Sequence, residues 1–438
     1  MRMAMSQLSE VAAGRLIGGD AEFSGVTIDS REVAAGELFV AIDAERDGHD
    51  FAPSAIDRGA AGCLVARELD IDAPMVVVDG DTGTALTRAA TRLRSFGPEL
   101  VVGVTGSVGK TSVKDLAAAA LGAGLRTSAS DKSFNNEIGV PLTLLNAPDD
   151  AEALVVEMGA RGPGQIAELC AVARPRIGVV TRVAAVHTEL FGDLDAVAAT
   201  KGELIESLPR DGIAVLNAAD DRVRAMASRT EAKVVLFGEG GDIQARDIEL
   251  DEQVRPSFEV VGEWGRTKVA LPVSGAHQVQ NALAALAVAC CAGVPLDVGA
   301  AGLANAVASP MRMAVHHLDS GATVIDDSYN ANPTSMEAGL RALGALNAER
   351  RTAVVGTMAE LGPDAERAHR EIALSAEAAG IELIAVDEPS YGVESVSDIS
   401  SAVERLGTLG RGDAVLVKAS RSAGLDRVVT SLLAADST

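Results

Sequence analysis

The run Thr105-Gly-Ser-Val-Gly-Lys-Thr-Ser112 follows an apolar stretch, Leu100 to Val104, and opens a helical segment at Lys110-Thr111. A buried strand, a turn of small residues and a helix start together make a phosphate cradle. The N–H groups of the turn and the positive end of the helix dipole both face an anion. In this layout Lys110 reaches the β- and γ-phosphates and the Thr111 hydroxyl is a ligand for Mg²⁺. Thr105, Gly106, Ser107, Gly109 and Ser112 complete the loop. Val104 stands where the common Gly-x4-Gly-Lys-Thr spacing has a glycine. A Gly-rich strand-to-helix turn that binds nothing is the competing reading; the coincidence of strand, glycines, Lys-Thr and helix weighs against it.

Other polar clusters could act beside that loop. Glu157-Met-Gly-Ala-Arg161 ends an apolar strand. Open α/β sheets bind ligands at that edge, where a carboxylate could share Mg²⁺ with Thr111 and phosphate oxygens. Alone, Glu157 reads more readily as an ordinary charged strand end. His187 follows another strand near the same edge, and is as readily a structural hydrogen-bonding residue as a ligand. Lys201, in Thr200-Lys-Gly-Glu-Leu204, reads by default as a surface lysine. A catalytic role would need its amine neutral, and so modified or lowered in pKa. Asp326-Asp-Ser-Tyr-Asn-Ala-Asn-Pro333 gathers acidic, amide and aromatic groups before a helix-starting proline. Its residues could be caps or a site. Ser133-Phe-Asn-Asn-Glu-Ile-Gly-Val-Pro141 says no more than loop, then helix.

The elements that must position these groups read as α/β layers in three blocks. A chain of 438 residues is too long for one ordinary core. Block one, residues 1–98, contains strands 37–42 and 75–78 and a helix near 84–95, stopped by Phe96-Gly-Pro98. Block two, 99–310, carries the phosphate loop and strands 154–158, 177–183, 212–216 and 234–237. An antiparallel hairpin within 256–273 and a helix 277–291 follow. Block three, 311–438, has strands 322–326, 352–355, 383–386 and 414–417. Its helices lie near 334–346, 364–379, 399–406 and 425–433. The fold class is thus α/β in three domains: a central, mostly parallel P-loop-type sheet, and a C-terminal doubly wound, Rossmann-like domain without a Gly-x-Gly-x-x-Gly fingerprint.

Composition narrows the function. With 62 acidic against 38 basic residues the net charge is −24, which argues against nucleic-acid binding and against anionic membrane surfaces. The longest apolar segment, near Ala282 to Leu296, falls short of the roughly 20 residues of a membrane span. No membrane insertion is expected. Met1 to Glu10 lacks a secretory apolar stretch, and the four cysteines show no CxxC or metal spacing. Buried free thiols and a cytoplasmic location are the expectation.

Taken together, these segments resemble the Mur ligase family. In block one the resemblance rests on Asp29-Ser-Arg31, Gly36-Glu-Leu-Phe-Val40 and Asp47-Gly-His-Asp-Phe51. In block two it rests on the phosphate loop, Ser133–Pro141, Glu157-Met-Gly159, His187, Lys201-Gly-Glu203 and His277-Gln-Val-Gln-Asn281. In block three it rests on Asp326–Pro333, Met358-Ala-Glu-Leu-Gly362 and Lys418-Ala-Ser-Arg421. Asp327–Pro333 and Glu360-Leu-Gly362 resemble the branch that joins D-Ala-D-Ala to UDP-N-acetylmuramoyl-tripeptide. A diaminopimelate-adding relative would carry a His-containing loop at 327–333. The chain departs from the family pattern at Thr357 (usually Asp), Ala419 (usually Gly) and the extra alanine of Asn217-Ala-Ala-Asp-Asp221.

The resemblance implies ATP-driven amide synthesis through an acyl phosphate, with two Mg²⁺ ions. Lys110 and the 106–111 backbone would hold the triphosphate, and Thr111 and Glu157 one metal. His187 and a carbamylated Lys201 would hold the second. Lys110, Lys201, His187 and Glu157 would form the catalytic set. Asn281 and Arg312 would contact the nucleotide and Asp327 its ribose, with Tyr329 and Asn330 near the phosphates or the dipeptide. Asn135, Asn136 and Asn332 would face substrate. Block one would bind the uridine diphosphate end through Ser30, Arg31 and His49. A monomer is expected. Two competing readings stand: a related carboxylate–amine ligase with another amine or a folate-like acceptor, and a catalytically silent nucleotide-binding scaffold.

Overall fold

The structure is a computed structural model that describes residues 2–131, 133–184 and 193–436. The phosphate-loop strand, Leu100–Thr105, lies inside a nine-stranded sheet, between Ile177–Val180 on one side and Ala153–Glu157 on the other. Beyond Ala153–Glu157 lies Thr127–Ala129. Beyond Ile177–Val180 the order is Ile213–Asn217, Lys233–Phe237, Ile243–Leu250, Pro256–Gly262 and Gly265–Ala270. All neighbours pair in parallel except the last three strands, which form the antiparallel edge that the alternation at 256–273 predicts. In register Glu157 sits beside Val104 and Val180 beside Thr105. Three strands therefore deliver their C-terminal ends to one edge, where open α/β sheets hold ligands.

The strands alternate between two cores. Val102, Val104, Val155 and Val179 face helices Lys110–Gly122, Gln278–Cys291 and Leu296–Leu303. The helix Gln278–Cys291 is buried all round from Ala282 to Cys290, where its apolar run is unbroken. Alanine and glycine let these helices approach closely: a Cβ on Gly302 would run into the Ala119 carbonyl. A core with few aromatics is workable on those terms. Val101, Leu154, Val156 and Val180 face the opposite way and merge with Met5, Leu38, Leu64, Val76 and Leu86 of the N-terminal block in one apolar cluster.

The N-terminal block is a five-stranded sheet in the order Gly14–Ile17, Met75–Val78, Gly62–Val65, Leu38–Val40 and Val26–Thr27, parallel except for its first strand. The C-terminal block is a six-stranded sheet in the order Ala314–His317, Thr323–Asp326, Asp413–Lys418, Arg350–Val355, Glu382–Val386 and Ser395–Val396. Its first strand is antiparallel and the rest are parallel. Met336, Leu340 and Ile372 cover one face, over Ile325, Ala353 and Leu416. Ala402, Leu406 and Val428 cover the other, over Val324, Val354 and Val415. Helices on both faces make it doubly wound, as expected. No helix among the described residues is long and apolar enough to cross a membrane.

Some elements differ from the sequence reading, which did not name the strands Thr127–Ala129, Ala314–His317 and Ser395–Val396. The strand expected at 177–183 ends at Val180. Beyond it the backbone leaves the ladder to serve the phosphate loop: Ser107 N–H donates to the Arg182 carbonyl at 2.7 Å. Ile243–Leu250 is a strand without a sequence signal, because five of its eight residues are exposed and its pairing comes from its neighbours.

Candidate functional site

The phosphate loop is shaped by two glycines. Gly106 has φ +143°, and a Cβ there would collide with the Thr181 hydroxyl. Thr181 is fixed in turn, because its hydroxyl donates to the Val108 carbonyl at 2.6 Å and its carbonyl accepts from Asn217 Nδ2 at 2.8 Å. Gly109 has φ +84°, and its missing side chain leaves room for Asn281 Oδ1, 2.8 Å from where a Cβ would lie. Gly106→Ala is therefore expected to distort the loop with most of the core intact. Calorimetric titration with ATP should show affinity down by about tenfold or more, while the circular-dichroism spectrum is unchanged.

Behind the loop, Thr111 Oγ1 donates to Glu157 Oε2 at 2.9 Å, and Asn135 Nδ2 donates to Glu157 Oε1 at 2.8 Å. Glu157 is buried, and its own N–H donates to Ser130 Oγ at 3.1 Å. Lys110 folds back and donates to the Gly106 carbonyl at 2.8 Å. Burial pushes its amine below the usual lysine range, Glu157 opposes that shift, and Arg312 adds to it.

Lys201 is no surface lysine: it is 2% exposed. Burial, and after it the Lys110 charge, push its amine down to about 7, against the pull of Glu203. The helix that carries it, Leu194–Glu206, starts at an Asp193 cap and is tied down by the rest of the Lys-Gly-Glu motif. Gly202 makes room for the Arg229 guanidinium, which donates to the carbonyls of Ala198 and Ala199. Glu203 accepts from the N–H groups of Gly164 and Ala167, just beyond Glu157.

The C-terminal block reaches in from the other side. Arg312 lies between Met311 and Met313, whose φ angles of 59° and 55° are left-handed and costly for methionine. Its guanidinium stacks 4.3 Å from the Tyr329 ring centroid and reaches Thr111 Oγ1 at 3.3 Å. Asp327 braces this linker. Its Oδ1 accepts from Met313 N–H at 3.2 Å and its Oδ2 from Lys418 Nζ at 2.5 Å. Both carboxylate oxygens are thus engaged within the protein, each with acceptor capacity to spare. Lys418 also donates to the Asn330 carbonyl at 2.9 Å. Asn332 caps the helix Pro333–Ala345, where Ser335 N–H donates to its Oδ1. Asn136 Oδ1 accepts from Gly139 N–H.

A cavity of about 700 Å³ opens where these walls meet. Of the residues singled out from sequence, its lining includes Gly106, Ser107, Gly109, Lys110, Thr111, Ser112, Asn135, Asn136, Glu157, Lys201, Arg312, Tyr329, Asn330 and Asn332. Thr105, Asn281 and Asp327 stand behind the lining; the Thr105 hydroxyl donates to the Met158 carbonyl. His187 lies outside the described residues. Ser30, Arg31 and His49 sit apart from the cavity, on loops after the parallel strands of the N-terminal sheet. His49 is buried with both ring nitrogens engaged, Nδ1 with Asp47 at 2.6 Å and Nε2 accepting from Ala66 N–H at 2.8 Å. It braces that loop edge. Arg31 is exposed and pairs with Asp29. Arg161, Glu360 and Arg421 line the cavity without having been singled out as site residues, although the motifs of Glu360 and Arg421 supported the resemblance. Only the tertiary fold brings the 358–362 and 418–421 loops against the phosphate loop.

The donors fit one hard cation. A hydroxyl and a carboxylate 2.9 Å apart at a phosphate cradle are the oxygen ligands that Mg²⁺ takes alongside substrate phosphates. Among the described residues no group of three His, Cys, Asp or Glu could hold a metal unaided. The cysteines are free, and burial pushes the Cys63 and Cys170 thiols up to about 12, far from reactive.

Comparison with known proteins agrees with this geometry. Family models match along the chain: "Mur ligase family, catalytic domain" at 22–94, "Mur ligase middle domain" at 104–289, and "Mur ligase, glutamate ligase domain" at 311–429. The UDP-N-acetylmuramoyl-tripeptide–D-alanyl-D-alanine ligase of Escherichia coli (strain K12) is 38% identical, over 98% of each chain. The solved structure of MurF from Acinetobacter baumannii superposes with a TM-score of 0.87 at 27% identity, covering 99% of both chains. That of MurF from Thermotoga maritima in complex with ADP gives 0.80 at 30% identity, covering 94% of this chain and 97% of that one. Phosphate loop, buried lysine, bracing linker and full-length likeness converge, and the chain belongs to the Mur ligase family, on the branch of the UDP-N-acetylmuramoyl-tripeptide–D-alanyl-D-alanine ligases.

Proposed function

We propose that this protein is an ATP-dependent amide ligase that joins D-Ala-D-Ala to UDP-N-acetylmuramoyl-tripeptide. Its products are ADP, phosphate and the UDP-muramyl-pentapeptide precursor of peptidoglycan. The observation that carries the reading is one cavity in which Lys110, the Thr111–Glu157 pair and the buried Lys201 face a wall from the C-terminal block. Residues 1–98 bind the uridine diphosphate end through the Ser30–Arg31 edge, 99–310 bind ATP, and 311–438 complete the site.

A free carboxylate is a poor acyl donor, so phosphate supplies the leaving group. The tripeptide carboxylate oxygen takes the γ-phosphoryl group as its bond to ADP breaks. The dipeptide amine then attacks the acyl carbon, and phosphate departs with the C–O electron pair. Lys110 leaves the Gly106 carbonyl for the triphosphate and balances charge on the transferring oxygens. The Gly106–Thr111 backbone orients the chain of phosphates. Arg312, stacked on Tyr329, supplies a second cation beside Thr111. Asn135 holds Glu157 in the orientation its metal role needs. Thr111 and Glu157 would hold Mg²⁺, which neutralises phosphate charge when bound. Lys201 would join a second ion with His187 once carbamylated, because a carbamate presents oxygen where an amine presents none that a hard cation takes.

Mass spectrometry of one reaction tests the reading. The purified protein, ATP, Mg²⁺, the UDP-tripeptide and D-Ala-D-Ala should yield a product heavier than the tripeptide substrate by one dipeptide less water, and none without ATP. ATP binding without product would favour another amine or acceptor, or the silent scaffold.

A further inference from the structure

The Met358–Gly362 loop is held more tightly than a connecting loop requires. Gly356 N–H donates to the Lys418 carbonyl at 3.2 Å, and the Gly356 carbonyl accepts from Tyr391 OH at 2.9 Å. Ser420 N–H donates to the Thr357 carbonyl at 2.9 Å, and Ala359 N–H donates to Ser420 Oγ at 2.9 Å. Met358 N–H donates to Nε2 of a fully buried histidine, His369, at 2.8 Å. The opposite ring nitrogen of His369 meets the Ala365 carbonyl at 2.7 Å, and Tyr391 stands edge-on to the ring at 4.8 Å. Five backbone groups between Gly356 and Ala359 are thus tied to the 418–420 segment, His369 or Tyr391.

The residue this scaffold presents is Glu360. Its φ of 64° is left-handed, a conformation a glutamate adopts only at a cost. Strain held in place by buried hydrogen bonds is a mark of a functional position. Glu360 lines the cavity from the C-terminal block and is half-buried, whereas Glu137 and Glu168 are exposed and Glu157 lies behind the phosphate loop. Its Oε1 lies 3.9 Å from Nε of Arg161, itself 76% exposed. A long, solvated pair of that kind is weak and readily exchanged for another cation.

We propose that Glu360 binds the ammonium group of the amine substrate, displacing Arg161 and setting the nitrogen towards the acyl phosphate formed across the cavity. The proposal deepens the ligase reading and rests on it. The first half-reaction has no need of this carboxylate. The phosphate side of the cavity is rich in cations, which would repel an ammonium, so a carboxylate on the far wall gives the incoming ammonium a seat; the nitrogen gives up a proton to solvent before its lone pair attacks the acyl carbon. His369 and Tyr391 act through the loop as positioning residues.

The test compares two nucleophiles in the full reaction. D-Ala-D-Ala arrives as an ammonium, whereas hydroxylamine is uncharged at neutral pH and traps the acyl phosphate as a hydroxamate. In Glu360→Gln the KM for the dipeptide should rise about thirtyfold, the cost of one lost charge-assisted contact. The KM for ATP and the rate of hydroxamate formation should stay at wild-type values. Arg161→Gln should leave the dipeptide KM near wild type or lower it. An unchanged dipeptide KM in Glu360→Gln overturns the proposal, as does a parallel loss of hydroxamate. An Arg161→Gln phenotype equal to that of Glu360→Gln also overturns it, since the pair would then be a strut between walls. A wild-type protein that forms neither product overturns the ligase reading instead.

Discussion

Replacing Lys110 by alanine is expected to abolish turnover by removing nucleotide binding itself. Nζ is the cation at the heart of the phosphate loop, already folded over the Gly106 carbonyl at 2.8 Å. Burial holds its amine below the ordinary lysine range, which means the protein bears a desolvation cost that an arriving polyphosphate would relieve. Loss of the charged contacts to phosphate should weaken ATP binding about a hundredfold and lower kcat by about a hundredfold or more. Titration calorimetry with ATP or ADP checks the first figure, and single-turnover phosphate release the second. The packing should survive, because the aliphatic stem only borders the cavity. Unchanged nucleotide affinity in the variant would remove the phosphate-loop assignment.

Lys201→Ala should lose activity in the opposite manner, with nucleotide bound and chemistry stopped. Affinity for ATP should remain near wild type while pentapeptide formation falls about a thousandfold. Wild-type turnover in this variant would sink the carbamate assignment. The amine lies at about 7, so it is largely neutral just above that pH and able to add carbon dioxide. Activity should therefore fall in buffers stripped of bicarbonate and return when it is added, more fully at pH 8 than at pH 6. The stability effect has a definite sign. The folded-state value is depressed from 10.5, so between about 7 and 10.5 the unfolded chain binds a proton that the folded one does not. Stability from this group rises with pH across that window, and the charging penalty is complete below it. In bicarbonate-free buffer, the Tm of the wild type relative to Lys201→Met should climb between pH 7 and pH 10. A flat difference would mean that the amine stays charged in the folded protein.

Much of the scaffold was legible because local signals and tertiary demand agree. The strand at Met75–Val78 and the helix at Ile399–Leu406 end where composition says they should. In the C-terminal sheet, Val324/Ile325 and Val415/Leu416 alternate between two cores, which is the pattern of a strand covered on both faces. The phosphate loop was legible for a different reason. Its glycines answer to backbone geometry at their own positions, and Lys110 and Thr111 answer to an anion at a helix start.

Residues adjacent in the chain were enough for the chemistry of the cradle, the α/β class and the doubly wound C-terminal block. The tertiary structure alone decided which polar side chains meet. Lys201 looked like a surface lysine, yet the packing of its helix buries it beside Lys110, and that burial rather than its neighbours in sequence lowers its amine. Asp327 and His49 read from sequence as ligand contacts, and the fold adds partners the sequence did not show, Lys418 and Met313 for one and Asp47 and Ala66 for the other. Glu360 stood in a motif that marked the branch, with nothing local to show that it would line the cavity. Its place on the cavity wall depends on a histidine 9 residues later and a tyrosine 31 later, which reach the loop before it through buried hydrogen bonds. Contacts between distant segments carry no periodicity to read, because nothing in a local stretch of chain records which other stretch will be packed against it.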